Sequence, residues 1–209
     1  MTEAPRSQTQ TDRRTAIAEA ALRVLGREGH AGLTARKVAA EAGLALGHIT
    51  YNFSGMDEVL AEAYRLLSAQ LRAASDTAPP ATPQARLSAF LRAGFAGDFL
   101  TPAHLRIRID LWSAALVHPA VAETERALYS HYRARLEELL APLVTPARIT
   151  PLTDLVMTTL DGLWLDWMRR RDAAAVDNAL GLIEDLVRVQ GSKESGRKMK
   201  KTRPDGQVF

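Results

Sequence analysis

Tryptophan and aspartate side chains occur together in two apolar segments, RIRIDLWSAALVHPAV (residues 106–121) and LVMTTLDGLWLDWMRRR (residues 155–171). These segments hold all three tryptophans of the chain. An indole face attracts an organic cation by about 0.5–2 kcal/mol per contact, and an aspartate buried beside it needs a partner or a ligand. The pattern therefore predicts a site for a small cation. Its candidate ligand-binding residues are Asp110, Trp112, Met157, Asp161, Trp164 and Trp167.

A second interpretation fits the same residues. From Met157 to Trp167 the large side chains recur at i, i+3 and i+4 spacing, which places them on one side of a helix. Such a stripe also suits packing in the core or between subunits, with the aspartates solvated at the helix edge. The sequence leaves both interpretations open.

Catalytic patterns are absent from the sequence. It contains no cysteine, and its five histidines are scattered along the chain. It has no GxSxG or HExxH pattern and no glycine-rich phosphate-binding or dinucleotide-binding loop. We therefore expect no enzyme activity, no catalytic residues, no metal site and no cofactor.

The basic character of the chain comes from its C-terminal end. The net charge is +3 and the isoelectric point is 9.4. Residues 191–209 carry six basic and two acidic residues, so residues 1–190 have a net charge of −1. Composition is therefore no argument for nucleic-acid binding by the rest of the chain. No apolar run approaches the ~20 residues that cross a bilayer, and no secretory signal is evident, so we expect a cytoplasmic protein without a membrane partner.

Apolar residues recur at a period near 3.6 in almost every segment, so the predicted fold class is all-α with about nine helices. DTAPPATP (residues 76–83) is the only proline-dense stretch. It cannot continue a helix, so we place a domain boundary there. The predicted division is a disordered N-terminus (1–10), a three-helix helix-turn-helix domain (11–56), a connecting helix (57–76), a helical ligand-binding and dimerisation domain (77–190) and a disordered basic tail (191–209).

The segment TARKVAAEAGLALGHITYNF (residues 34–53) has the layout of a helix-turn-helix. Gly43 supplies the turn, and Ile49 and Phe53, four residues apart, anchor a short second helix to the core. This helix is rich in poor helix formers, which suggests that its open side is selected for contact. Such a side suits base edges and phosphates in a major groove. The open side holds Gly47, His48, Thr50, Tyr51 and Asn52, whereas Leu46 fits either side.

Residues 12–65 resemble the DNA-binding domain of TetR-family transcriptional regulators. The resemblance rests on a long first helix ending in a glycine-containing loop, on LTARKVAAEAGL, on TYNF and on an acidic DEVL that opens the next helix. It implies a regulator that binds a double-stranded, palindromic DNA operator. It also implies base contacts from the start of the short second helix of the helix-turn-helix and phosphate contacts from the end of that helix. The implied DNA-binding residues are Thr34, Arg36, Ala45, Leu46, Gly47, His48, Thr50, Tyr51 and Asn52.

Three features depart from that family's pattern. Ala45 stands where a capping Ser or Thr is usual, at a cost of about 1 kcal/mol, and Met56 stands where a lysine commonly meets a phosphate. Residues 1–60 hold seven basic and seven acidic residues. We therefore expect modest DNA affinity and a shallow salt dependence, unless the basic tail is a DNA-contacting arm and not a solubilising end. The alternative is a tight helical hairpin within a ligand-binding or protein-interaction module that binds DNA weakly or not at all.

The C-terminal part resembles BetI-like members of the same family, which repress betaine-synthesis genes and respond to choline. The points of likeness are LWSAALVHPAVAETERALYSHYRARLEELL and LDGLWLDWMRRRDAAAVDNALGLIEDLV. The resemblance implies a repressor that a small-molecule effector releases from its operator. A quaternary amine such as choline is one candidate effector.

The last two predicted helices, near 150–171 and 174–190, are apolar over wide arcs. A monomer can bury one such stripe, but two at the end of a chain favour a self-complementary four-helix interface. In the TetR family this pair forms a homodimer, and a dimer would place two recognition helices ~34–36 Å apart. The candidate interface residues are Leu155, Leu163, Leu180, Ile183, Leu186 and Val187.

Overall fold

The computed structural model describes the backbone of residues 4–75 and 82–201 and the side chains of residues 10–74, 82–97 and 99–191. Every secondary-structure element in these ranges is helical, which confirms the predicted all-α fold class. None of the helices described is both long enough and apolar enough to cross a bilayer. The nine α-helices of the described residues are α1 (Ala4–Glu28), α2 (Ala35–Glu41), α3 (Gly47–Asn52), α4 (Met56–Ser75), α5 (Pro83–Ala93), α6 (Pro102–Ala115), α7 (Pro119–Leu140), α8 (Pro146–Arg170) and α9 (Ala173–Lys201).

Several helix limits differ from the predicted ones. α1 begins at Ala4, inside the segment predicted to be disordered, and α9 continues to Lys201. α8 begins at Pro146 and contains Pro151. The backbone N–H of the first helical residue has no partner within the helix, so a proline loses nothing by lacking it there. Pro146 can therefore be the first residue of α8. The predicted linker at 76–83 and the side chains of the predicted basic tail fall almost wholly outside the described residues.

One packing unit is formed by α1 to α4, α6 and α7 as far as His131. α1 lies at its centre, since α2, α3, α4 and α6 all pack against it. Ile17 and Leu25 of α1 are fully buried in a core cluster that also contains Ile49 and Phe53. The apolar spacing that predicted the helix-turn-helix is therefore satisfied by burial against α1.

α6 packs with this first unit, whereas the predicted division assigned it to the C-terminal domain. Ile107 and Leu111 are buried in the same core cluster as α1. The Arg106 guanidinium donates to the backbone oxygen of Arg27 at 2.6 Å and to that of Gly26 at 3.3 Å, at the end of α1. The sequence shows that α6 has an apolar stripe. The residues of α6 alone do not show which other helix packs against this stripe.

The other packing unit contains α5, α7 from Tyr132 onward, α8 and α9. α9 packs against both α5 and α8. The rings of Phe90 and Tyr132 stack with centroids 4.3 Å apart. Arg92 of α5 pairs with two acidic residues of α9, Asp177 and, at 3.1 Å, Glu184. The contact between α5 and α9 is therefore partly ionic.

Candidate functional site

A tight turn joins α2 to α3. Thr34 caps α2, because its Oγ1 accepts a hydrogen bond from the Lys37 amide at 3.3 Å. Beyond α2, Gly43 has a positive φ of 67°, and the Leu44 amide donates to the Ala39 carbonyl at 2.9 Å. Only glycine adopts this backbone conformation readily, so the turn depends on Gly43. The turn leads into α3, which packs against α1 and α2.

α3 has a buried side and an outer side. Ile49 and Phe53 are 3% and 4% exposed and pack in the core. Tyr51 is 76% exposed and Leu46 is 44% exposed. Leu46, which fits either side on sequence grounds, therefore lies on the outer side of α3. The candidate residues that are exposed or half-buried in and before this helix are Ala45, Leu46, Gly47, His48, Thr50 and Tyr51.

Gly47 is not required by the fold. Its backbone φ is not positive, and a Cβ added at Gly47 would meet nothing within 4 Å in the described structure. Gly47 is the first residue of α3, where alanine would favour the helix by at most the ~1 kcal/mol of an interior position. The packing of the chain therefore does not account for the glycine at this position.

Asn52 faces the interior, which corrects its predicted place on the open side. Its side chain is 5% exposed, and its Nδ2 donates to the His48 carbonyl one turn earlier at 2.8 Å. Its Oδ1 has no hydrogen-bond partner among the described residues. In this conformation the Asn52 side chain is not available to a phosphate.

Arg14 of α1 is a residue of the site that the sequence analysis missed. Its guanidinium donates to the backbone carbonyl of Asn52 and pairs with Glu58 of α4 at 2.9 Å. It also lies 4.1 Å from the centroid of the Phe53 ring. Arg14 thus holds the end of α3 from behind. Its partners are about forty residues away in sequence, so no local pattern reveals them.

Ser54 and Glu58 connect the end of α3 to α4. Glu58 accepts hydrogen bonds from the Ser54 amide at 2.8 Å and from the Ser54 hydroxyl at 2.9 Å. The Ser54 amide, followed by the Arg14 guanidinium, lowers the pKa of the Glu58 carboxyl from its ordinary value. Oδ2 of the adjacent Asp57 lies 3.1 Å from Nδ1 of His118.

The basic residues near α2 are largely paired with carboxylates. Glu41 accepts from Arg27 at 2.6 Å and from Arg23 at 2.7 Å, and these two arginines lower the pKa of Glu41 to about 2. Lys37 pairs with Glu28. Thr34 and Arg36, the α2 residues predicted to approach DNA, are both exposed. Arg36 forms no ion pair with any described residue, so its charge is available to a partner.

The predicted cation-binding residues are divided between the two packing units. Asp110 and Trp112 belong to the first unit. Asp110 accepts a hydrogen bond from the His30 backbone amide at 2.8 Å. The Trp112 ring lies 5.7 Å from the Arg108 guanidinium. Both candidates on α6 therefore have partners within the chain.

The tryptophans of α8 belong to the second unit and are buried. Trp164 stacks on Phe95 with ring centroids 4.8 Å apart. Trp167 has the Arg171 guanidinium 4.4 Å from its ring centroid. An indole face of Trp167 therefore already lies beside a cation of the chain itself, whereas the sequence analysis predicted a ligand cation there.

Asp161 corrects one premise of the predicted cation site. Its side chain is exposed, so it is not a carboxylate buried beside a tryptophan. Met157, one turn earlier, is 5% exposed and packs in the interior of the second unit. The two residues therefore do not share the environment that their spacing suggested.

A cavity of about 370 Å³ lies elsewhere in the second unit. None of the six predicted cation-binding residues lines it. Its wall combines apolar side chains with charged ones, so it is a second candidate place for a small molecule. The lining residues are Gln84, Leu87, Pro142, Leu143, Glu184, Asp185, Val187, Arg188 and Gly191.

Burial corrects four of the six predicted interface residues. Leu163, Leu180, Ile183 and Val187 are buried inside their own chain, while Leu155 is exposed and Leu186 is half-buried. A side chain that the protomer already covers cannot form the surface of a dimer. The large apolar side chains that α8 and α9 do expose are Leu155, Leu165, Met168, Leu182 and Val189.

Two family models match the chain. The model described as bacterial regulatory proteins, tetR family, matches residues 17–63, which contain the helix-turn-helix. The model described as BetI-type transcriptional repressor, C-terminal, matches residues 83–190. The second match alone spans more than half of the sequence.

Similar proteins extend over most of the chain. The HTH-type transcriptional regulator BetI of Agrobacterium fabrum is 28% identical over 201 residues, which cover 93% of this chain and 91% of that protein. A transcriptional regulator from Rhodococcus sp. Rha1 has a solved structure that aligns with a TM-score of 0.73 and 25% identity, over 83% of this chain and 95% of the other. A transcriptional regulator from Saccharomonospora viridis, solved in complex with choline, aligns with a TM-score of 0.70 over 85% of this chain and 96% of the other. That last pair is 17% identical, so the likeness concerns the fold.

Proposed function

We propose, because this chain belongs to the TetR family of bacterial regulatory proteins and carries a BetI-type C-terminal domain, that it represses transcription from a palindromic operator and is released by a small-molecule effector. The family makes it a transcriptional regulator. The operator symmetry, the effector class and the direction of regulation are the proposed parts.

The outer side of α3 carries the DNA-binding part of the proposal. A helix of six residues is too short to be stable alone, and α3 is held by Ile49 and Phe53 from behind. On its outer side, Tyr51 is 76% exposed and therefore contributes little to folding. The hydroxyl of Thr50 can donate to or accept from base edges, and its methyl group can contact thymine. Gly47 leaves room for the duplex.

The test is selection of duplexes from a random-sequence pool with the full-length protein. We expect palindromic sequences whose half-sites lie about one helical turn apart. Binding should weaken with salt, with a shallow slope because the charges of Arg23, Arg27 and Lys37 are already paired. A folded protein that selects no sequence would favour the alternative, a ligand-binding module that has lost DNA binding.

Gly47→Ala should stabilise the protein and weaken its operator binding. The added methyl group favours the helix by at most the ~1 kcal/mol of an interior position, but it fills the space through which the duplex approaches. We expect at least a tenfold loss of affinity for the selected duplex, measured by fluorescence anisotropy, and a higher urea midpoint.

Gly181→Ala is the matched control for this change. Gly181 lies inside α9, and a Cβ added there also meets nothing within 4 Å in the described structure. Because Gly181 adjoins Leu182 of the proposed dimer surface, sedimentation velocity first checks that this variant assembles as the wild type does. We then expect a gain in stability of about 1 kcal/mol with unchanged operator affinity. An unchanged affinity in Gly47→Ala would contradict the assignment of α3 as the helix that contacts the operator.

The dimer is proposed to form through the outer sides of α8 and α9. Leu182 and Val189 of α9 are 69% and 43% exposed in the single chain, and Leu155 of α8 is 49% exposed. Gly162 on the same side of α8 has no side chain to hold a facing helix apart. Two copies of this surface form a self-complementary four-helix interface. This surface replaces the buried residues named from the sequence.

The effector is proposed to be a small organic cation. The BetI regulators similar to this chain and the choline complex of the S. viridis protein support this class. Two indole rings of the chain already lie beside a guanidinium, Trp112 beside Arg108 and Trp167 beside Arg171. A quaternary amine that binds the same face of one of these rings must displace the arginine on it.

A thermal-shift measurement with choline tests the effector class and locates its site. We expect choline to raise the melting temperature and its neutral isostere 3,3-dimethylbutan-1-ol to leave it unchanged, since a ligand of the folded state stabilises it by mass action. Arg171→Ala should enlarge the choline response if Trp167 holds the cation, and Arg108→Ala should enlarge it if Trp112 does. Equal responses to choline and the isostere would contradict the cation proposal.

A further inference from the structure

Glu62 of α4 is shared by two arginines of the first unit. Its Oε2 accepts from Arg65 at 2.9 Å and from Arg14 at 3.3 Å. Arg14 comes from α1, whereas Arg65 reaches α7, where it donates to Thr124 Oγ1 at 3.2 Å. One carboxylate oxygen therefore joins a residue that holds α3 to a residue that contacts α7.

The two ends of this network are well fixed. At one end, Arg14 donates to the carbonyl of Asn52, one of the last carbonyls of α3, which lack partners within the helix. At the other end, Thr124 is 4% exposed, and its hydroxyl donates to the Ala120 carbonyl at 2.9 Å. A movement of the first turns of α7 must therefore carry the acceptor that positions Arg65.

We propose, resting on the regulator function argued above, that Arg14 and Arg65 compete for Glu62, so that the position of α7 sets how firmly Arg14 holds the end of α3. The two guanidinium groups share one acceptor oxygen and repel each other, so a closer approach of one weakens the contact of the other. Arg65 has the shorter contact while Thr124 anchors it. Glu62 and Arg14 are thus positioning residues, which act on operator binding through α3.

If the two arginines compete, variants at Glu62 and at Arg65 change the firmness of α3 in opposite directions. Glu62→Gln leaves Arg14 with less to orient it and loosens α3. Arg65→Gln returns the Glu62 carboxylate to Arg14 and tightens α3. Thr124→Val removes the acceptor that anchors Arg65 and keeps the side-chain volume, so it also tightens α3. The substituted residue is then seventy-one residues away in sequence from Phe53, where the effect is measured. Three independent stabilising contacts would instead all loosen α3 when removed.

The experiment measures amide hydrogen exchange at the end of α3 in the full-length protein without DNA. The probe is the Phe53 amide, which donates to the Ile49 carbonyl at 2.9 Å. We expect exchange about two- to fivefold faster in Glu62→Gln and about twofold slower in Arg65→Gln and Thr124→Val, the range that partly exposed ion pairs allow. Faster or unchanged exchange in Arg65→Gln or Thr124→Val overturns the proposal.

Two control variants separate this effect from general destabilisation. Glu123→Gln removes an exposed carboxylate beside Thr124. Thr153→Val removes the hydroxyl of a fully buried threonine whose Oγ1 has no hydrogen-bond partner among the described residues. Exchange at Phe53 should not change in either, and a change as large as that in Thr124→Val contradicts the competition. The exchange measurement contains no DNA, so its outcome does not depend on operator binding. A failed operator assay would contradict the proposed function but not the competition for Glu62.

Discussion

Leu182→Asp is expected to convert the proposed dimer into a monomer. Leu182 is 69% exposed in the single chain and lies on one side of α9 with Leu186 and Val189. A two-fold interface contains each substituted residue twice. If each buried aspartate costs about 2 kcal/mol, a typical value at a central interface position, the pair raises the dimer dissociation constant roughly a thousandfold.

Sedimentation velocity at micromolar concentration measures this change directly. Leu116→Asp is the matched control, because Leu116 is 86% exposed and belongs to the first packing unit, whereas α8 and α9 belong to the second. The control should sediment as the wild type does. A Leu182→Asp protein that remains dimeric would show that copies meet through another surface.

Operator binding should be lost together with the dimer. A palindromic operator is held by two α3 helices at once, so the second contact forms at the high effective concentration that the dimer provides. The monomer keeps an intact helix-turn-helix but binds one half-site. An anisotropy titration with the selected duplex should therefore show strong binding for Leu116→Asp and little for Leu182→Asp.

The local features of the helix-turn-helix are readable from the sequence. The four-residue spacing of Ile49 and Phe53 fixes which side of α3 enters the core, and both are buried. The positive φ of Gly43 follows from the short turn that the two helices require. Each of these features depends on residues close together in the chain, where helix geometry is sufficient to decide.

Features set by distant residues are not readable in this way. Asn52 is a residue type that suits a phosphate contact, but its side chain is 5% exposed in the packing of α3 against α1, and its Nδ2 donates to the His48 carbonyl. In α9, Leu180 and Leu182 are chemically identical, yet one is 2% and the other 69% exposed. Which leucine the protomer covers depends on how α5 and α8 pack against α9, and a wide apolar stripe does not contain that information.

The sequence around two of the predicted cation-binding tryptophans contains an arginine that can cover each ring. Arg108 precedes Trp112 by four residues, and Arg171 follows Trp167 by four. Side chains at this spacing are neighbours on a helix, so Arg108 can cover the face of Trp112 from within α6. Arg171 lies just beyond the end of α8, with a left-handed φ of 53°, and covers Trp167 from there. A tryptophan with an arginine four residues away in sequence therefore predicts an indole face covered by that arginine, and not one that is open to a ligand.

Phe53→Ala is expected to remove much of the stability of the first packing unit. The ring is 4% exposed, belongs to the core cluster built on α1 and lies 4.1 Å from the Arg14 guanidinium. Truncating a buried phenylalanine to alanine typically costs about 3–5 kcal/mol. Urea unfolding followed by circular dichroism should show a loss of this size, and the operator should no longer be bound because α3 loses its support.

Tyr51→Ala is the variant that separates support of α3 from contact with DNA. Tyr51 is two residues away, on the opposite side of the helix, and 76% exposed. Exposed positions change stability by about 0.5 kcal/mol or less, so the urea midpoint should match the wild type. Operator affinity should still fall at least tenfold. If Tyr51→Ala binds the selected duplex as tightly as the wild type, the outer side of α3 is not the surface that holds the operator.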